Sequence, residues 1–91
     1  MMTQTIEISS EVLTQEVGGE TVILDLKTES YFGLDEVGTR IWQLLQKQVD
    51  IQTITATMLN EYDVKEEQLE KDIQSLLTKL NKAGIITLNS D

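Results

Sequence analysis

The side chains that could do chemistry in this chain are carboxylates and ammonium groups, because the sequence contains no His and no Cys. The usual general base and the usual transition-metal ligands are therefore missing. A covalent mechanism would need an Asp, Glu or Lys partner, and nothing in the sequence favours a particular one. Gly18-Gly19-Glu20 lacks the Lys and the Ser or Thr of a phosphate-binding loop. We therefore expect no catalytic residue, no metal site and no cofactor.

The charge of the chain restricts its partners. Sixteen acidic residues against seven basic ones give a net charge of −9 over 91 residues. This charge opposes binding to nucleic-acid phosphates and to anionic membranes, both of which attract Lys and Arg. It is compatible with a basic partner, but it is also what keeps a small domain soluble. Composition alone leaves both interpretations open.

The length and the cysteine count indicate one small domain in a reducing compartment. A chain without Cys has no disulfide framework, which suits the cytoplasm. Residues 1–10 are polar and lack the features of a signal peptide. No apolar stretch approaches the roughly 20 residues of a membrane span. We expect a cytoplasmic domain over residues 11–88, a flexible N-terminal segment over 1–10 and a C-terminal tail over 89–91.

The stretch that would position a binding site runs from Tyr31 to Gly38. Tyr31 and Phe32 favour a short strand ending at Leu34. Gly33 weakens a strand interior and is typical of close approach by another backbone. Asp35 stands where the N-cap of a following helix belongs. The sequence therefore predicts a strand that leads directly into a helix.

The residues before this stretch predict a β-hairpin. Two apolar-rich runs, residues 12–17 and 20–26, flank Gly18-Gly19, a pair typical of two-residue turns. In the second run we expect the alternating set Val22, Leu24 and Leu26 to face the core. The strand 31–34 would return beside the second run. The result is a three-stranded meander with its third strand at an edge, where Phe32 and Leu34 share one face.

Three helices are predicted after the strands, at about residues 36–48, 51–62 and 65–83, and Asp50 stands where the N-cap of the second belongs. Trp42 lies beside the apolar stripe of the first and is expected in the core. On the third helix, the spacing of Leu69, Ile73, Leu77 and Leu80 forms a core stripe. At its margin Leu76 is apolar, and Asp72 and Lys79 beyond it are charged. Such a margin suits the wall of a groove, although ordinary core and solvated surface would have the same pattern.

In this order of three strands and three helices the chain resembles the PqqD family, and more broadly the recognition elements of pathways that modify ribosomally made peptides (RiPPs). The residues that carry the resemblance run from Gly19 to Ile86. They are Gly19-Glu20, Val22-Ile23-Leu24-Asp25-Leu26, Tyr31-Phe32-x-Leu34-Asp35 with Gly38, Ile41-Trp42, Leu44-Leu45, Leu59 with Glu61-Tyr62 and Val64, Asp72-Ile73, Leu76-Leu77, Leu80 and Gly84-Ile85-Ile86. Each piece is short, but their order and spacing together are specific.

The resemblance implies an α+β, winged-helix-like fold with a three-stranded antiparallel sheet followed by three helices. It implies non-catalytic binding of the leader segment of a precursor peptide. The leader would add as a strand beside residues 31–34, against the third helix, and be delivered to a processing enzyme such as a leader protease or a radical or cyclase enzyme. The implied peptide-binding residues are Tyr31, Phe32, Gly33, Leu34, Leu69, Asp72, Ile73, Leu76 and Lys79.

Several alternatives stay open at this point. The resemblance fits a lasso-peptide or other RiPP pathway, which we favour, and also a PqqD-type chaperone in pyrroloquinoline quinone (PQQ) biosynthesis. A winged-helix DNA binder would need a basic recognition helix, whereas the third helix carries Glu66, Glu67, Glu70 and Asp72. A subunit that only docks on a larger enzyme would use the open edge as its interface. We expect a monomer or a weak homodimer, because an open edge can pair with a second copy.

Overall fold

The computed structural model describes residues 4–90 and has an α+β fold. Five strands and three helices follow in the order β1 Gln4–Ile8, β2 Val12–Val17, β3 Glu20–Asp25, β4 Ser30–Leu34, α1 Glu36–Gln46, α2 Ile51–Glu61, α3 Glu66–Lys82 and β5 Ile86–Ser90. The predicted three-stranded antiparallel sheet is confirmed, with the order β2-β3-β4. The three predicted helices are confirmed with ends within a few residues of those expected.

The β2–β3 hairpin has the two-residue turn that its glycines predict. Gly18 and Gly19 have φ angles of +60° and +84°, which the turn requires and which other residues rarely adopt. Val17 pairs with Glu20 across the turn, and this pair sets the register of the whole sheet. The Leu26 amide donates to the Glu11 carbonyl at 2.8 Å, which continues the same register beyond the strand ends.

The face of β3 that lies against the core differs from the sequence prediction. Thr21, Ile23 and Asp25 are buried, whereas Val22 and Leu26 are 41% and 49% exposed. The prediction that Val22, Leu24 and Leu26 face the core is therefore wrong. The turn register places the other set beneath α1, and the Asp25 carboxylate there accepts a hydrogen bond from the Lys27 amide at 3.0 Å. The hydrogen bond from the Lys27 amide thus compensates for the burial of the Asp25 carboxylate, and a hydropathy pattern gives no sign of such a turn.

A second, two-stranded sheet was not expected. β1 pairs antiparallel with β5, from Gln4↔Ser90 to Ile8↔Ile86. The Ser9 amide also donates to the Ile85 carbonyl at 2.8 Å. The expected flexible segment 1–10 therefore contains a paired strand, and the expected tail 89–91 includes the end of β5. Residues 1–3 and 91 lie outside the described part of the chain.

One core joins both sheets to the helices. α3 places Leu69, Ile73, Leu77 and Leu80 in this core, as the stripe predicts. Trp42 is 1% exposed, which confirms its predicted place. The other buried apolar residues are Ile23, Leu34, Ile41, Leu44, Leu45, Ile54, Met58, Ile85 and Ile86.

Polar side chains fix α1 against its neighbours at the surface. Arg40 donates two hydrogen bonds to the Glu61 carboxylate on α2, at 2.8 and 2.6 Å. This contact raises the pKa of Arg40 and lowers the pKa of Glu61 relative to their ordinary values. Gln43 donates to Glu16 of β2 at 2.8 Å. α1 is therefore tied to α2 on one side and to the sheet on the other.

Candidate functional site

A groove of about 560 Å³ lies between β4, the first turns of α1, and α3. Its walls come from three segments that are distant in sequence. They are Phe32, Gly33 and Leu34 on β4, then Asp35, Val37, Gly38 and Ile41 at the start of α1, and Asp72, Ser75, Leu76 and Lys79 on α3. The base of the groove is apolar, and its charged groups lie at the rim, which suits an extended peptide with apolar side chains.

The strand wall of this groove is an open sheet edge. β4 pairs with β3 on one side, and within residues 4–90 no strand pairs with its other side. An edge of this kind presents amide and carbonyl groups that another chain can pair with. The prediction that residues 31–34 form an edge strand is therefore confirmed.

The hairpin register determines which groups of β4 face that edge. In an antiparallel ladder, hydrogen-bonded and non-bonded pairs alternate, and Val17↔Glu20 closes the two-residue turn as a bonded pair. Even-numbered residues of β3 therefore bond to β2, and odd-numbered residues bond to β4. The odd residue Ile23 pairs with Phe32, so Phe32 directs its amide and carbonyl towards β3. Tyr31 and Gly33 accordingly direct theirs towards the open edge.

Side chains on β4 alternate between the groove and the outer face of the sheet. Phe32 and Leu34 turn towards the core, and both line the groove. Tyr31 is 74% exposed and lies on the opposite face with Gly33. Tyr31 therefore contributes backbone groups to the edge but no side chain to the groove.

The third helix supplies the opposite wall, which is one of the two interpretations that its spacing allows. Asp72, Leu76 and Lys79 all line the groove, and Leu76 is only partly buried. Leu69 and Ile73, the other two helix residues in the implied site, do not line it. They are 3% and 1% exposed and belong to the core beneath. They support the helix from the core side, and their contribution to peptide binding stays a prediction.

The sequence prediction did not include the α1 wall. Val37 and Ile41 line the groove from α1, and Ser75 lines it from α3. Gly38 allows α1 to start close to β4, since an added Cβ there would lie 3.3 Å from the Leu34 Cβ and 3.3 Å from an Asp35 carboxylate oxygen. The i, i+4 spacing of Val37 and Ile41 is the available signal, but an ordinary core stripe of an amphipathic helix has the same spacing.

The charged groups at the rim differ in the hydrogen bonds that they make. Asp35 caps α1, where it accepts a hydrogen bond from the Gly38 amide at 2.8 Å. Asp72 accepts from the Gln68 side chain at 3.0 Å. The only salt bridge within residues 4–90 is the one between Arg40 and Glu61, away from the groove. Asp72 and Lys79 therefore remain available to charged side chains of a ligand.

Two other kinds of site were searched for in the described part of the chain. Residues 4–90 contain no cluster of three or more acidic residues placed to hold a metal ion. None of the helices described there is long and apolar enough to cross a membrane.

Residues 20–86 match the model of the family described as coenzyme PQQ synthesis protein D (PqqD). The chain belongs to the PqqD family. The matched residues extend from the start of β3 to the start of β5, and they include every wall of the groove. No curated protein shows significant sequence similarity to this PqqD-family chain.

Two solved structures share the fold of this PqqD-family chain over most of its length. A structure of TbiB1 in complex with the TbiA(beta) leader peptide matches with a TM-score of 0.84 and 34% identity, and the match covers 89% of this chain and 94% of TbiB1. A lasso peptide synthetase B1 complexed with its leader peptide matches with a TM-score of 0.82 and 23% identity, over 90% of this chain and 96% of the other. The first is similar in sequence and fold, and the second supports the fold alone.

Proposed function

We propose that this chain binds the leader segment of a ribosomally made precursor peptide and delivers it to a processing enzyme of a lasso-peptide or other RiPP pathway. The leader adds as a fourth strand beside β4 and lies in the groove against α3. The chain itself has no catalytic role. It acts by holding an otherwise disordered peptide in one place and one conformation.

The observation that carries this proposal is the open edge of β4 beside an apolar groove. Tyr31 and Gly33 offer two amides and two carbonyls to an incoming strand. Such β-augmentation gives affinity through the backbone, while a pocket for alternate side chains gives specificity. The similarity to TbiB1, which was solved with a leader peptide, supports the same occupant here.

The register defines how the leader enters the groove. The leader residue level with Phe32 points its side chain to the inner face of the sheet, because neighbouring strands share their faces. There it meets Leu34, Ile41 and Leu76, which form the apolar base. Asp72 and Lys79 then lie at the rim, where they select charges on the flanking leader residues.

The expected affinity is moderate. The leader must give up its disorder and its rigid-body freedom on binding, and these costs offset much of the gain from burying apolar surface. We expect a dissociation constant between about 1 µM and tens of nanomolar. Because the domain carries a net charge of −9, a leader with Lys or Arg should associate faster at low salt.

Calorimetry with a synthetic leader, taken from the precursor-peptide gene nearest to the gene of this chain, tests the proposal. We expect saturable binding in the stated range, and surface plasmon resonance should show that a basic leader associates more slowly at high ionic strength. A peptide of the same composition in scrambled order is the control, and it should bind at least about tenfold more weakly. A dissociation constant weaker than about 1 mM for the correct leader would refute leader recognition.

A role in coenzyme PQQ synthesis is the second candidate, because the family model that matches carries that description. The same groove would then bind the precursor of that cofactor. Competition between the two precursor leaders for the one groove separates the candidates. The leader that displaces the other at the lower concentration identifies the pathway.

A further inference from the structure

The outer face of the three-stranded sheet exposes large apolar side chains to solvent. Tyr31 is 74% exposed, Val17 64%, Leu13 57% and Val22 41%. Register places Leu13, Leu24 and Tyr31 in one row across the three strands. The groove lies on the other face of the sheet, so the proposed inner contacts of the leader leave these residues unused.

Next to this row, Gly33 leaves a notch at the open edge. Gly33 pairs with Val22, and both belong to the outer face. A Cβ added at Gly33 would meet no atom within 4 Å, so the space above the glycine is open. Tyr31 borders this space along the strand, and Val22 borders it from β3. The notch is therefore an apolar site that opens directly onto the edge where a peptide strand would pair.

We propose that the bound leader is read on both faces of the sheet, with a large apolar leader side chain lying across Gly33 against Tyr31 and Val22. This inference rests on the proposed function and adds a second contact to the one in the groove. The outer site selects the leader residue level with Gly33, and the groove selects its neighbour level with Phe32. The preferred leader thus has two adjacent large apolar residues, one for each face.

Strand geometry supports this assignment. Residues level with Tyr31 and Gly33 in an added strand put their side chains on the outer face, whichever direction the strand runs. Their Cβ atoms lie about 5 Å from those of β4 in the same row, so one of them contacts the Tyr31 ring. Val22 is two strand spacings away, about 10 Å, and only a long side chain crosses an empty glycine position to reach it. Aromatic side chains are known to cover edge glycines in this way.

The leader is a better occupant of this face than a second copy of the chain. The notch is continuous with the open edge of β4, so one strand fills the edge and the notch together. A second copy would bring two domains of net charge −9 into contact, which opposes association. Dimerisation through this face is therefore the outcome that would count against the proposal.

The test combines an alanine scan of the synthetic leader with Tyr31→Ser and Val22→Ser. Each variant should weaken leader binding about two- to fivefold, in line with the strength of cross-strand contacts. Both residues are exposed, so the domain should stay folded, which circular dichroism can check. Val17→Ser is the matched control, because it removes a similarly exposed apolar side chain from the same face on β2, far from the edge. It should leave the affinity unchanged.

Double-mutant cycles make the test specific. One leader position should couple to Tyr31 and Val22, and the position beside it should couple to Leu76 of the groove, since alternate residues face opposite sides. Binding that depends on Leu76 but is indifferent to Tyr31→Ser and Val22→Ser would overturn the outer site and leave leader recognition intact. Self-association of the free domain that Tyr31→Ser abolishes would also overturn it. Absence of any binding to the wild type would refute both proposals.

Discussion

Two grooves flank α3, and they differ in the backbone groups that they offer to a ligand. The groove on the β4 side is the candidate site. The groove on the other side, about 330 Å³ in volume, lies between α2 and α3 and is lined by Ile51, Gln52, Thr55, Glu66, Glu70, Ile73 and Gln74. Both grooves combine apolar side chains with acidic groups. Only the first has a wall made of a strand edge.

The difference lies in the backbone. In the α2–α3 groove both walls are helices, whose carbonyls are hydrogen-bonded within each helix. The first-turn amides at Ile51, Gln52 and Glu66 lack intrahelical partners, but they point along the helix axes and do not form a strand edge. Even the Thr55 hydroxyl donates to the Ile51 carbonyl one turn earlier, at 3.0 Å. In the β4 groove the backbone of Tyr31 and Gly33 has no strand partner within the described chain. The two grooves have similar side chains, and the open backbone of β4 is the reason why we assign the site to the first groove.

The largest expected effect comes from a charge placed in the base of the β4 groove. Leu76→Asp should weaken leader binding about 100-fold, because the carboxylate must lose its hydration as the peptide covers it. Leu76 is only partly buried, so we expect the domain to remain folded with a lower Tm. Isothermal calorimetry and a thermal melt measure the two effects.

Ile51→Asp is the matched control for that substitution. It introduces the same charge beside α3, but in the α2–α3 groove, where Ile51 is also only partly buried. We expect leader affinity within about twofold of the wild type, since additivity holds for distant sites. Equal losses from both variants would show that the two grooves do not differ in function.

A smaller effect is expected from removing one backbone donor at the edge. Gly33→Pro deletes an amide that points away from β3, and proline is tolerated on such an edge. It should lower leader affinity about tenfold through the lost hydrogen bond and the bulk of the ring, with little change in Tm. Phe32→Pro deletes an amide that points to β3, so it should lower Tm markedly. If Gly33→Pro unfolds the domain while Phe32→Pro does not, the assignment of free groups on β4 is inverted.

The smallest effect is expected at the contact between Arg40 and Glu61, which lies away from the groove on the β4 side. Arg40 lowers the pKa of Glu61 in the folded state, so ionised Glu61 stabilises the fold at neutral pH. This contribution is present above the ordinary glutamate pKa of about 4.3 and disappears as the pH falls through the lowered value. Glu61→Gln should therefore slightly lower Tm at pH 7, and the difference should vanish once the pH falls below the lowered pKa of Glu61.

The same variant also sharpens the comparison of the grooves. Glu61 ends α2 and contacts Arg40 of α1, and neither residue lines the β4 groove, so removing this contact should leave that groove unchanged. Leader affinity at neutral pH is expected to stay the same in Glu61→Gln. A loss of affinity would mean that the position of α2 contributes to the site.

Much of the fold follows from local sequence signals. Gly18-Gly19 predicts the hairpin, and Asp35 and Asp50 predict the starts of α1 and α2. Both carboxylates cap as expected, with the Gly38 amide at 2.8 Å and the Thr53 amide at 2.7 Å. Each of these features depends on a few adjacent residues, which is why sequence alone identifies it.

What the sequence did not predict depends on contacts between distant segments. β1 pairs with β5, about eighty residues away, and neither segment has a strong strand signal of its own. The prediction of which face of β3 is buried was wrong, because the more apolar set of its side chains lies on the outer face of the sheet. Periodicity gives the two faces of a strand but not which one is covered. The spacing of α3 allows for a groove wall on that helix. The spacing of α1 does not by itself indicate the α1 wall, because that wall depends on how closely Gly38 lets α1 approach β4.

The pairing of β1 with β5 has a consequence for how this domain can be connected to others. The polypeptide enters and leaves at neighbouring points, because Gln4 lies opposite Ser90. A domain whose two ends lie close together can be inserted into a surface loop of a larger protein without distorting that protein. The domain is thus suited to function either within the same polypeptide as an enzyme or as a separate protein beside that enzyme.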